Sequence, residues 1–234
     1  MKRQIYAFKI EFQALNFKLR FLLLLLFFFV LESNGQNPFF KASELSQTWV
    51  YYYPEHWPEN QWERDFKNMA GLGFEAVHMG EFAWAQLEPE EGRYHFEWLD
   101  RAIDLADKYQ LKVILCTSTA TPPVWMSRKY PEILIKHENG NYSDHGARQH
   151  ASFSSPKYRE LALRTIEELA KRYGSDTRVI GWQLDNEPSV QYDYNQAAAA
   201  EFRIFLQNKY QTIDKLNQAW GTAFWSQLYT SFDQ

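Results

Sequence analysis

The sequence predicts an α/β fold, a (β/α)8 (TIM) barrel of which about the first four strand–helix units are present. Short β-rich runs alternate with helical periods beyond residue 45, and that alternation means a parallel sheet covered by helices. Polar and aromatic residues follow every strand: Glu55 and His56, Glu81 and Trp84, Thr117 to Thr121, and Asp185 to Glu187. Such clustering at the carboxyl ends of strands is how a barrel builds its active face. An open doubly wound sheet would favour a Gly-rich phosphate loop after strand one, and Tyr53 to Pro58 contains no glycine. A complete barrel takes about 250 residues and eight strands, so the chain reads as a front half.

Trp49 to Tyr53 is the first strand, with Pro54 and Pro58 marking a loop and the start of a helix. Trp62, Phe66, Met69 and Ala70 share one face of that helix, and Gly71 and Gly73 end it. Ala76 to Met79 is the second strand. The next helix carries Trp98, Leu99, Ala102, Ile103, Ala106 and Tyr109 at spacings of three and four. Val113 to Cys116 is a continuous apolar run, the mark of a strand buried on both faces. A long loop is expected from about Thr117 to Ser154. Ser155 and Pro156 then form a cap and first-turn pair, because proline has no N–H to leave unsatisfied there. The apolar face from Tyr158 to Tyr173 follows, stopped by Gly174. Val179 to Leu184 is strand four. Helices over about Gln196–Tyr210 and Ile213–Trp220 come last.

Apolar residues make up 45% of the chain and aromatics 18%, which excludes a disordered or collagen-like protein. With 25 Lys and Arg against 29 Asp and Glu, the net charge of −4 gives no reason to expect nucleic acid as a partner. The single cysteine, Cys116, rules out an internal disulfide framework and any Cys-rich metal site.

The first 35 residues read as an export signal. Phe21 to Leu31 is an uninterrupted apolar run behind Lys18 and Arg20, too short for a helix that crosses a bilayer core of about 30 Å. Ser33 and Gly35 are small residues that place cleavage before Gln36. The expectation is a periplasmic or extracellular protein that meets the membrane only during export. The competing reading is a stop-transfer anchor, since Phe8, Phe12 and Leu15 lengthen the apolar stretch. Residues 36–234 are then the N-terminal half of the barrel.

Asp185, Asn186 and Glu187 directly follow strand four and carry the sharpest chemistry. A glutamate at a strand end, beside a side-chain amide, suits protonation of a glycosidic oxygen, and burial would keep it protonated near neutral pH. Asn186 suits the sugar 2-hydroxyl, a contact that strengthens as the oxocarbenium-like transition state forms. The plainer reading is that Glu187 caps the next helix or pairs with an arginine. Trp57, Trp84, Trp125 and Trp182 near strand ends offer faces for sugar C–H groups, with core packing as the alternative. The six histidines show no ligand pair at helical spacing, and His145 with His150 and Asp144 is the nearest approach to a metal site. Glu88 to Glu91 reads as a solvated turn.

Several stretches together resemble glycoside hydrolase family 42, mostly β-galactosidases: YYYPEHWPENQWERDFKNMAGLGF, GEFAWAQLEPEEGRYHFEWLDRAID, TSTATPPVW, KYPEI, SSPKYRE, GWQLDNE and KLNQAWGTAFWSQLY. The resemblance runs from Tyr51 to the end. It implies a retaining hydrolase that releases terminal β-D-galactose using two glutamates. Glu187 matches the acid/base, and Asn186 and Arg148 match substrate-binding residues. Many members bind zinc through cysteines after that arginine, but Ser152 stands at the first such position and residues 191–201 contain no cysteine; no metal or other cofactor is expected. The nucleophile glutamate is expected at strand seven, beyond Gln234. The family also includes activity on arabinopyranosides, and the resemblance leaves room for a trimer or other homo-oligomer. Two readings compete with a galactosidase: a truncated, inactive barrel remnant or carbohydrate-binding protein, and a barrel glycosidase of other sugar specificity such as a β-mannanase-like enzyme.

Overall fold

The computed structural model describes residues 48–146, 148–188 and 192–234. The apolar run Phe21–Leu31 and the expected cleavage before Gln36 lie outside them. No helix among the described residues is long and apolar enough to cross a membrane.

Four strands form one sheet in chain order, β1 (Trp49–Tyr51), β2 (Ala76–Met79), β3 (Lys112–Cys116) and β4 (Val179–Gln183), all parallel. Strands β1 and β4 are two residues and one residue shorter than the runs expected for them, because Tyr52 and Leu184 already turn into loops. Between strands lie α1 (Glu59–Gly71), the one-turn α2 (Trp84–Leu87), α3 (Glu97–Lys108), the short α4 (Val124–Lys129) and α5 (Pro156–Tyr173). Helices α6 (Gln196–Tyr210) and α7 (Ile213–Trp220) follow β4.

Three helices start at a side-chain cap, of which the sequence names Ser155. Ser155 Oγ accepts from the Tyr158 N–H at 3.3 Å, Asn195 Oδ1 from Ala198 N–H at 2.8 Å, and Thr212 Oγ1 from Lys215 N–H at 3.3 Å, each supplying one orphan backbone donor with a partner. Gly73 past α1 has φ +86°, the left-handed conformation glycine adopts at little cost. Gly174 differs: its φ is −65°, and glycine is needed because an added Cβ would lie 2.5 Å from the Ala170 carbonyl oxygen.

Alternation along each strand divides the sheet into two faces. Val77, Met79, Val113 and Leu115 join Phe66, Leu99, Ile103 and Leu169 in the main core beneath the helices. Burying each such side chain contributes about 1.5–3 kcal/mol. A second cluster gathers Trp84, Met126, Ile133, Tyr158 and Leu161. On the other face the register aligns Tyr51, His78, Ile114 and Gly181 in one row, with the Tyr51 and His78 rings 4.3 Å apart. Tyr51 is exposed there, as are Trp182, Leu184, Phe202, Phe205 and Trp225 elsewhere, the uncovered apolar surface that half a barrel implies.

Two local readings are corrected. The segment 117–154 is not all loop: it holds α4, a 3-10 turn at Pro131–Ile133 and bridges from Leu134 to Ala151 and Lys136 to Tyr142. Helix α4 has six residues, too few to register as a helical period. Nor is the acidic run after α2 simply solvated. Glu88 is fully buried and accepts from Trp84 Nε1 (2.9 Å), Gly92 N–H (2.7 Å), Arg164 Nη2 (2.9 Å) and Thr165 Oγ1 (2.9 Å). A buried carboxylate is tolerated when it is paired and its lone pairs are used.

Candidate active site

The chain leaves β4 through a turn that breaks ordinary backbone preferences. Asp185 has φ +59° and Glu187 φ +41°, conformations that cost about 1–3 kcal/mol each outside glycine. Asp185 is held by its surroundings. Its N–H donates to Thr117 Oγ1 (3.0 Å), its carbonyl accepts from Gln183 Nε2 (2.8 Å), and its carboxylate accepts from Thr119 Oγ1 (2.7 Å) and Asn186 N–H (2.7 Å). The result tucks Asn186 inward, 5% exposed, and leaves the Glu187 side chain 70% exposed.

Arg148 joins the two. Nη1 donates to Asn186 Oδ1 at 2.6 Å, and Nη2 lies 2.9 Å from Glu187 Oε2. Gln149, also at positive φ, donates through Nε2 to the carbonyls of Asn186 and Glu187. The three residues singled out in the sequence therefore meet, although 38 positions separate Arg148 from Asn186.

Beneath them lies a residue to which sequence reasoning gave no role. Glu81, just past β2, is 3% exposed. It accepts from Tyr53 OH at 2.6 Å, from Gln183 Nε2 at 3.0 Å and from Asn186 Nδ2. Burial, helped by that carboxylate, pushes the Tyr53 phenol well above its usual range, so it remains a donor. Two signals point to it: Glu81 stands at a strand end, as Asp185 does, and it lies in the GEFAW stretch. Glu55, past β1, is pushed up to about 7 by burial, a rise its own backbone N–H opposes and the charge of Glu81 reinforces; no side chain among the described residues bonds its carboxylate oxygens.

A cleft of ≈ 580 Å³ opens over this group, lined by Tyr51, Tyr53, Phe82, Arg148, Asn186 and Glu187 among others. Its aromatic walls are the two tyrosines and Phe82, with the Tyr53 and Phe82 rings stacked at 5.8 Å. The tryptophans are placed otherwise. Trp84 is completely buried, Trp125 donates to the Glu88 carbonyl at 2.8 Å, and Trp182 pairs in register with Leu115 on the helix side of the sheet. Trp57 is half exposed and accepts through its carbonyl from Trp62 Nε1 at 3.0 Å. Trp84 and Trp125 thus serve packing, while Trp57 and Trp182 are exposed outside the cleft lining.

No group of three or more His, Cys, Asp and Glu able to hold a metal ion forms among the described residues. The His145 and His150 rings meet edge to face at 5.0 Å. Cys116 is buried, its thiol pushed up to about 12 by desolvation, which removes it as a nucleophile.

Comparison with known proteins adds to this geometry. Residues 51–234 match the Glyco_hydro_42 family model, described as β-galactosidase. The chain is 49% identical over 186 residues to a β-galactosidase of Thermus thermophilus, a match covering 78% of this chain and 29% of that one. It is 46% identical over 188 residues to β-galactosidase Bga of Halorubrum lacusprofundi, covering 79% and 27%. The solved β-galactosidase of the psychrophilic Marinomonas ef1 superposes with a TM-score of 0.77 at 44% identity, over 80% of this chain and 29% of that one. A β-amylase catalytic domain from Paenibacillus polymyxa, at 18% identity and TM-score 0.56, shares the fold alone. The chain thus spans less than a third of the length of the β-galactosidases it matches, and its four-stranded sheet is part of their barrel.

Proposed function

The chain belongs to glycoside hydrolase family 42, and on that premise we propose that the complete protein is a retaining hydrolase releasing terminal β-D-galactose from β-galactosides. The observation that carries this reading is the convergence of Arg148, Asn186 and Glu187 at the mouth of one cleft. In it Glu187 protonates the glycosidic oxygen as the bond to the anomeric carbon breaks, then takes a proton from the water that releases the sugar. Asn186 engages the 2-hydroxyl. The Arg148 guanidinium fixes the relative placement of both, since its planar fork reaches two acceptors at once. A retaining mechanism requires a second carboxyl about 5–5.5 Å from the first. That nucleophile is assigned to the part of the protein outside this chain, consistent with the share of its relatives that the chain covers.

The reading extends to the rest of the protein. Residues 36–234 form the N-terminal half of the catalytic barrel, and residues 1–35 direct export to the periplasm or beyond, a claim supported by the apolar run behind Lys18 and Arg20. The exposed apolar surface supports further assembly, first with the remaining barrel and then as a homo-oligomer. The test is turnover of aryl glycosides by the complete protein. Release of galactose from the β-galactoside, exceeding release from the arabinopyranoside and mannoside, supports the assignment. Preference for another sugar moves it to a different specificity. Absence of turnover on every sugar returns the chain to an inactive remnant.

A further inference from the structure

Glu81 binds three partners on two strand ends besides its own. Tyr53 lies past β1, while Gln183 closes β4 and Asn186 follows it. Gln183 Nε2 also donates to the Asp185 carbonyl, so the same carboxylate is tied to the strained turn that presents Glu187. We propose that Glu81 is a positioning residue of the hydrolase reaction, one that fixes the orientation of the Asn186 amide; the proposal rests on the galactosidase reading above.

Donor and acceptor inventory decides which way the amide faces. A carboxylate only accepts and a guanidinium only donates. Asn186 sits between one of each, so Nδ2 must face Glu81 and Oδ1 must face Arg148. The two ends are not equally firm. Arg148 is a long side chain half exposed to solvent, whereas Glu81 is buried and anchored by two more hydrogen bonds. Glu81 is therefore the fixed reference against which the amide is set. One Nδ2 hydrogen is used on Glu81, and the second has no partner among the described residues. Asn186 lines the cleft, and that remaining N–H is the one a sugar hydroxyl receives. Hydrogen bonds to the 2-hydroxyl strengthen at the transition state, so an amide free to turn loses turnover more than ground-state binding.

The test uses the complete protein with an aryl β-galactoside and its 2-deoxy counterpart, which lacks the hydroxyl in question. Glu81→Leu is expected to lower kcat on the galactoside about 100-fold with KM changed by about threefold or less, and to lower it on the 2-deoxy substrate by only about threefold. Glu81→Gln is expected to recover most of the loss, because its amide oxygen still accepts from Asn186. Should the leucine variant fail to fold, Tyr53→Phe removes one support of Glu81. Its expected loss is about five- to tenfold on the galactoside and about twofold on the 2-deoxy substrate. Equal losses on both substrates, or a glutamine variant as impaired as the leucine one, would overturn the positioning role. A wild-type protein that turns over neither substrate overturns the galactosidase reading, and this proposal with it.

Discussion

Arg148 Nη2 lies 2.9 Å from Glu187 Oε2, while the other terminal nitrogen of the same guanidinium holds Asn186. Both charged side chains are at least half exposed, 50% and 70%, and exposed ion pairs contribute little to stability. The pair therefore matters for geometry. Arg148→Lys keeps the charge but cannot span two acceptors in one plane. It is expected to lower kcat/KM by about 10- to 100-fold while shifting the melting temperature by no more than about 2 °C. Parallel kinetics and thermal melts check both halves.

The buried Glu88 predicts the reverse pattern. Its carboxylate joins α2 to α5 through Arg164 and Thr165, away from the cleft lining. Glu88→Ala leaves Arg164 only the carboxylate of Glu91, 3.6 Å away, and strands the Trp84 donor. Breaking such a pair costs about 3–5 kcal/mol, a fall on the order of 10 °C in melting temperature. Activity per folded molecule is expected to hold. An unchanged melting curve would contradict the structural role.

Glu55 gives a pH signature. Burial raises its folded-state value from 4.5 to about 7, so the folded chain holds a proton that the unfolded chain releases earlier. The sign follows from linkage: below about pH 4.5 the group is protonated in both states, stability falls as pH rises through about 7, and it is level above that. Glu55→Gln removes this dependence. The variant is expected to match the parent at pH 4.5 and melt higher at pH 8, as thermal melts of this chain across that range would show. Parallel curves for the two would contradict it.

Much of the fold could be read from the residues. The Ser155 cap follows local chemistry that no tertiary contact overrides, and β3 announces itself as an apolar run. Helix α4 could not be read, since six residues carry no period and its stability comes from Met126 packing against Ile133 and Leu161. The site divides along the same line. Glu187, Asn186 and Arg148 sit in recognisable motifs. Glu81 acts through contacts with residues up to 105 positions away, and Glu88 is buried by a helix 76 positions away; no local pattern encodes either pairing.

Proton donation by Glu187 is the step on which the proposed hydrolysis turns. In the complete protein, kcat/KM of Glu187→Ala should be compared on two aryl β-galactosides, one with a poor leaving group and one with a dinitrophenolate. A good leaving group departs without protonation, so the account predicts a loss of about 1,000-fold or more on the first substrate and about tenfold or less on the second. Equal losses on the two, or full activity on both, would contradict it.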